Sequence, residues 1–219
     1  MNLLAIDTAT EQCSAAVLVD GEIIEHRVLT ARNHAELLLP MVEAVLAEAG
    51  LNMMELEGIA FGRGPGAFTG VRIAAGVAQG LSLGSALPVV GISNLAAVAQ
   101  PLATPGNEVL VCMDARMNEV YWGLFLGQDD GLVAPVAAEQ VSPPAMVSLV
   151  APPSVACGTG FRAYPELATR FAGLRIDDGA LPSARAIARL GAAAFAAGLG
   201  RPAAEAIPVY LRDQVAWRR

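Results

Sequence analysis

No lysine occurs in the 219 residues; all 14 basic side chains are arginines, and 21 acidic ones leave a net charge of −7. That balance excludes a free-standing nucleic-acid binder, which needs surplus positive charge to neutralise phosphates. Charged residues make up only 16% and aromatics 5%, yet 54% of the chain is hydrophobic, which excludes intrinsic disorder and fibrous classes. Cysteine is scarce. Cys13, Cys112 and Cys157 are odd in number and widely spaced, so they are expected to be reduced core thiols of a cytoplasmic protein rather than metal ligands or disulfides. The two histidines, His26 and His34, form no His-x-x-x-His pair, which leaves a metalloprotease short of ligands; no metal site is expected. A Gly-x-Ser-x-Gly elbow is absent as well. No uninterrupted apolar run approaches the ~18 to 20 residues that cross a bilayer, so no membrane association is expected. The opening residues Met1 to Asp7 read as a strand rather than a signal peptide.

What is present has a clear order. Short apolar runs at 3–6, 14–19 and 22–29, the last two separated by the Asp20-Gly21 turn, predict an antiparallel meander. Helices are expected at 33–49, ended by Gly50, at 69–84, capped by Thr69, and from Ser93 to about Gln100; strands are expected at 58–62 and 89–91. After a linker-like stretch at 101–107 the opening pattern returns: a strand at 108–113, Asp114, a polar turn, and a strand at 119–126. Strand, aspartate, turn, strand thus occurs twice, half the chain apart, which predicts an α/β protein of two related lobes, 1–100 and 101–219. An alanine-rich helix at 183–197 follows.

From Ile73 to Asn107 there is no charged residue. A helix on the outside of a monomer carries a polar face, so the helix at 69–84 is either sandwiched within the fold or covered by another protein. Gly76, Gly80 and Gly84, at i, i+4 and i+8, favour the second alternative. They form one smooth stripe where a foreign backbone can approach, beginning at Arg72, and each costs about 1 kcal/mol of helix propensity against alanine. The preceding helix is apolar over about 200° of arc, roughly twice what one core contact requires. Leu39, Val42, Leu46 and Ala49 are assigned to the sheet, and His34, Leu38, Met41 and Val45 to a partner; Pro40 is expected to bend or interrupt the first turn. Burial within the chain is the alternative.

Two features invite a nucleotide reading. Asp7, Thr8 and Thr10 follow the first strand, where hydroxyls and backbone N–H groups can hold a phosphate and a carboxylate can orient hydrated magnesium; Asp114 holds the same place in the second pattern. An ordinary Asx turn accounts for them equally well. The string Gly62-Arg63-Gly64-Pro65-Gly66-Ala67-Phe68-Thr69-Gly70 leads into a helix, a natural anion site, but it is neither a Walker A loop nor a dinucleotide fingerprint. Arg116, Asn118 and Glu119 suit a solvated turn, and Arg212, Arg218 and Arg219 a basic tip able to touch RNA or simply a solvated tail.

Leu4-Ala5-Ile6-Asp7-Thr8-Ala9-Thr10, the glycine-rich string continued to Ile73, Asp114-Ala115-Arg116-Met117-Asn118-Glu119-Val120-Tyr121-Trp122, and Pro208-Val209-Tyr210-Leu211-Arg212 together resemble the TsaB (YeaZ) family of bacterial tRNA modification proteins. The resemblance implies a two-lobed actin-like ATPase (ASKHA, duplicated RNase H-like) fold and a role in N6-threonylcarbamoyladenosine synthesis. It implies a non-catalytic subunit that binds and activates the transferase TsaD through its N-terminal lobe, is joined by the ATPase TsaE, and meets tRNA through that complex. The interface it implies falls on the helices at 33–49 and 69–84. His34 lies where the catalytic relative has paired metal histidines, but Leu38 follows four residues later, so no metal is implied. No cofactor is required by this chain; ATP and magnesium are implied only weakly, or within the complex. The spare apolar surface also predicts a homodimer when the chain is alone. The alternative is a nucleotide-binding enzyme of the actin-like class with its own ATP chemistry on Asp7, Thr8, Thr10 and Asp114.

Overall fold

The computed structural model describes residues 1–30 and 32–212. In the first sheet the strands β1 (Leu3–Asp7), β2 (Gln12–Val19), β3 (Glu22–Leu29), β4 (Gly58–Gly64) and β5 (Val89–Ser93) lie in the order β3-β2-β1-β4-β5. The first three form an antiparallel meander, and β4 and β5 add parallel to β1. The second sheet repeats this plan. Its strands β6 (Glu108–Asp114), β7 (Val120–Gly127), β8 (Val133–Pro135), β10 (Val155–Cys157) and β11 (Ile176–Asp177) run β8-β7-β6-β10-β11, again antiparallel and then parallel, with the short β9 (Gln140–Ser142) on β7. Two sheets of one topology, each opened by a strand that ends in aspartate, make this an actin-like, duplicated RNase H-like α/β fold.

All five residues of β1 are buried because helices cover both faces of its sheet. Alternation sorts them: Leu4 and Ile6 enter the core under α1 (His34–Glu48) and α2 (Phe68–Ser85), while Leu3 and Ala5 meet α6 (Ala184–Ala196) on the other side. In the second sheet Val109, Val111 and Met113 pack on α3 (Asn94–Ala99), and Leu110 and Cys112 face Phe161 of α4 (Gly160–Ala163) and Leu167 of α5 (Pro165–Arg170).

Residue 100 therefore divides the strands but not the helices. The α3 helix, from the first half, lies on the second sheet, and α6, from the second half, lies on the first. Polar ties fix that return: the Ala184 N–H donates to Ser14 Oγ at 2.9 Å, and Gln12 Nε2 donates to the Pro182 carbonyl at 2.8 Å. Gly191 lets α6 approach β4, since a Cβ there would stand 2.6 Å from that of Ala60.

Three local expectations need correction. Pro40 does not interrupt α1, which runs on to Glu48; it is exposed, as is Glu36, whose carbonyl loses its amide partner there. The N-cap of α2 is Ala67, with no side-chain cap, and Thr69 already lies inside the helix. Arg212 is no solvated tail, for its guanidinium is bonded to Glu119 and to backbone carbonyls; Arg218 and Arg219 lie outside the described residues.

Candidate functional site

The α1–α2 face corrects the phase assigned to α1. Leu38 and Val45 are fully buried with Val42 and Leu46 against the sheet, whereas Leu39 is 45% exposed. Leu38 and Val45 thus belong to the core and offer nothing to a partner; three consecutive leucines at 37–39 leave the helix phase open by one position. Met41 is half-buried and packs on that core, as do Ile73, Val77 and Leu81 of α2. His34 is half-buried and its Nε2–H donates to the Thr10 carbonyl at 2.8 Å, pinning the start of α1 to the β1–β2 turn. On α2 the residues Arg72, Gly76, Gly80 and Gly84 are exposed together with Leu83, and a Cβ built on any of the three glycines meets nothing within 4 Å. The stripe is open surface made of backbone.

The turn after β1 is tied into the fold through its own polar groups. Asp7 is completely buried, with its Oδ1 accepting from Asn94 Nδ2 at 2.6 Å. Burial pushes its carboxyl up to about 7, against the smaller opposing effect of the Asn94 bond and the backbone amides of Ala9 and Thr8. The Thr8 hydroxyl donates to the Gly70 carbonyl at 2.6 Å and Thr10 Oγ1 accepts from the Gln12 N–H at 3.3 Å. The glycine-rich loop packs on this turn: the Ala67 N–H donates to the Ala9 carbonyl at 2.7 Å, and a Cβ at Gly66 would stand 2.5 Å from the same oxygen. Its glycines admit β1's turn, a close approach between two stretches of the same chain. Asp7 and Thr8 are both buried, and their polar groups are bonded inside the fold.

A cleft of about 1370 Å³ lies between the lobes, lined by Thr10, Glu11, His34, Glu36, Phe68, Asp114, Arg116, Arg162, Tyr210 and Arg212 among others. Asp114 reaches it but is already engaged, accepting from the Arg116 N–H at 2.8 Å and from the Tyr164 hydroxyl at 3.0 Å, and pairing with the Arg116 guanidinium at 3.0 Å. Among the described residues no three His, Cys, Asp or Glu side chains converge as metal ligands. The cysteines are free and buried; burial raises the Cys13 thiol to about 11 and Cys157 to about 12, far from thiolate chemistry near neutrality.

Some of the ties that build these sites escape sequence reading. Asn94 supports Asp7 from 87 residues away and accepts the Gly64 N–H at 2.7 Å through its own Oδ1. Arg72 lies over the Phe68 ring, 3.5 Å from its centroid, and its Nε donates to the Tyr210 hydroxyl at 2.8 Å. No local pattern announces either cluster. The second string of the resemblance and the fourth, at 208–212, are the available signal, since both end up around the cleft.

Comparison with known proteins agrees with this architecture. Residues 24–218 match the family model described as TsaD: tRNA N6-adenosine threonylcarbamoyltransferase. The tRNA threonylcarbamoyladenosine biosynthesis protein TsaB of Escherichia coli (strain K12) is 40% identical, over 100% of this chain and 98% of its own. The TsaB of Haemophilus influenzae is 39% identical over 100% and 97%. The solved structure of YeaZ from Pseudomonas aeruginosa superimposes with a TM-score of 0.86 at 40% identity, covering 96% of this chain and 99% of that one. Among the described residues no helix is long and apolar enough to cross a membrane. With identity sustained from end to end and one fold shared throughout, the chain belongs to the TsaB (YeaZ) family of tRNA threonylcarbamoyladenosine biosynthesis proteins.

Proposed function

We propose that this chain is a non-catalytic subunit of tRNA N6-threonylcarbamoyladenosine synthesis, acting in the cytoplasm by binding and activating a TsaD-type transferase. The observation that carries this reading is the α2 stripe of Arg72, Gly76, Gly80 and Gly84, exposed and empty above each glycine, on a helix that bears no charge after Arg72. Half-buried Met41, Ile73, Val77 and Leu81 extend the apolar surface beside it, and exposed Leu83 ends it. A helix laid along such a stripe gains close backbone packing that no water-facing role of three glycines would repay. His34 stands at the edge of the face as an anchor for α1, not as a ligand. TsaE joins the pair and tRNA reaches the chain through the assembled complex; in the absence of the transferase the same apolar face pairs two copies of this chain. The internal satisfaction of Asp7, Thr8 and Asp114 argues against an independent ATP chemistry and fits a subunit that requires no cofactor of its own.

Reconstituted tRNA modification, assayed with each component omitted in turn, tests the reading. Omission of this chain should abolish product although the transferase and the threonylcarbamoyl donor are present; full-rate product without it would remove the proposal.

A further inference from the structure

The segment 208–212 begins on one lobe and ends on the other. At its start the Val209 N–H donates to the Arg63 carbonyl at 2.7 Å, and Gly64 is a glycine with φ +105° because a Cβ there would stand 2.6 Å from the Val209 oxygen. Tyr210 then lies against the first turn of α2, its ring centroid 5.8 Å from that of Phe68 and its hydroxyl accepting from Arg72. Two residues later Arg212 is seated on the second lobe. Its Nε donates to Glu119 Oε2 at 3.0 Å and its Nη2 to the Ala115 carbonyl at 3.2 Å, with a further Nη2 contact to the same carboxylate. The pair is partly withdrawn from water, with side chains 20% and 30% exposed, so the charge-assisted bonds are stronger than on an open surface.

The turn that Arg212 grips is held against its own preference. Arg116, Met117 and Asn118 have φ of 59°, 57° and 61°, three successive non-glycine residues in the left-handed region. Tyr210 and Arg212 both line the interlobe cleft, as do Ala115 and Arg116 of that turn.

We propose that 208–212 is a strap across the cleft whose two anchors are coupled, so that the contacts of Arg72 with Tyr210 on α2 govern how firmly Arg212 holds the 115–119 turn, and with it how far the cleft opens. The coupling is one of placement: Tyr210, held on α2 beside the Val209–Arg63 bond, fixes the position from which Arg212 reaches the turn. Two residues span about 7 Å at full extension, so the lobes cannot part at the cleft mouth by more than a few ångströms before one anchor releases. The anchors differ in kind, an exposed stack on the first lobe and a partly desolvated ion pair on the second, and the stack is the one open to competition. Arg72 begins the glycine stripe; if that stripe is the partner surface, as proposed above, docking there reaches the cleft through Tyr210.

Amide hydrogen exchange on the full-length chain alone tests the strap independently of any partner. Arg72→Ala removes no contact with the second lobe, yet it should accelerate exchange at the Ala115 and Glu119 amides about tenfold, as Arg212→Gln does directly, with the amides of β1 and β6 unchanged. The double variant should exceed the stronger single variant by no more than about twofold, because either release suffices. Wild-type exchange at 115–119 in Arg72→Ala, or in Arg212→Gln, overturns the proposal. Should Arg72→Ala also loosen the core amides, Tyr210→Phe, which removes only the hydroxyl that Arg72 bonds, is read by the same criterion.

Discussion

Asn94 donates from Nδ2 to the buried Asp7 carboxylate at 2.6 Å while its Oδ1 accepts the Gly64 N–H at 2.7 Å. One amide thus joins the end of β1, the end of β4 and the start of α3, and both of its polar atoms are satisfied without water.

That environment gives the fold a pH dependence opposite in sign to the usual acid denaturation. The folded Asp7 carboxyl is raised from 3.8 to about 7, so folding favours its neutral form. The stabilisation is fully present below about pH 4, is lost progressively as pH rises, and is gone once pH passes about 7; the loss is on the order of 4 kcal/mol. Thermal melts of wild type and Asp7→Asn between pH 5 and pH 8, about one unit apart, check it. The variant should gain stability relative to wild type as pH rises, because it carries no charge to bury. A constant difference across the series would contradict the assignment.

Gly62 faces the same pair. A Cβ there would overlap Asp7 Oδ1 and stand 2.7 Å from Asn94 Nδ2, and neither side chain can retreat without breaking its bond. Gly62→Ala is expected to cost about 2 to 4 kcal/mol, read as a lower urea midpoint, whereas Gly50→Ala, with nothing within 4 Å but a φ of +66°, should cost only about 1 kcal/mol of backbone strain.

The twin aspartates were legible in the sequence because each ends an apolar run before a turn, and that local pattern carries the duplicated sheet with it. The exchange of α3 and α6 between sheets was not, since alanine-rich helices such as Ala184–Ala196 fit against either surface and their assignment rests on contacts made 170 residues away, as between Ser14 and Ala184. Nor could sequence separate a phosphate turn from a structural one at 7–10. The bond that holds Asp7 inside the fold comes from Asn94, which belongs to a different element and sits within a stretch that reads as plain helix.

Leu38 and Leu39 differ by one position and should differ widely in consequence. Leu38 is wholly buried between α1 and the first sheet, and Leu39 is 45% exposed. Leu38→Ala is expected to lose about 2 to 5 kcal/mol of stability by denaturant titration, through lost burial and a cavity that the sheet cannot fill. Leu39→Ala should stay within about 0.5 kcal/mol of wild type in the free chain, and any defect it shows should appear in complex formation. Equal losses for the two variants would mean the helix is rotated from the phase described.

The glycine stripe makes a prediction in which stability and binding move in opposite directions. Gly76 and Gly80 lie inside α2 with helical geometry and open space above them, so alanine at either should stabilise the free chain by up to about 1 kcal/mol through helix propensity alone. A chain under selection for its own stability would gain from that change. If the stripe exists to let another helix approach, the same methyl groups hold the partner's backbone away, and Gly76→Ala with Gly80→Ala should raise the melting temperature while weakening association with the transferase about tenfold or more. Gly80→Arg should abolish association with the melting temperature retained. Light scattering and calorimetric titration of the three chains against the transferase check both halves at once; unimpaired pairing by Gly80→Arg would place the interface elsewhere and leave the three exposed glycines without a function.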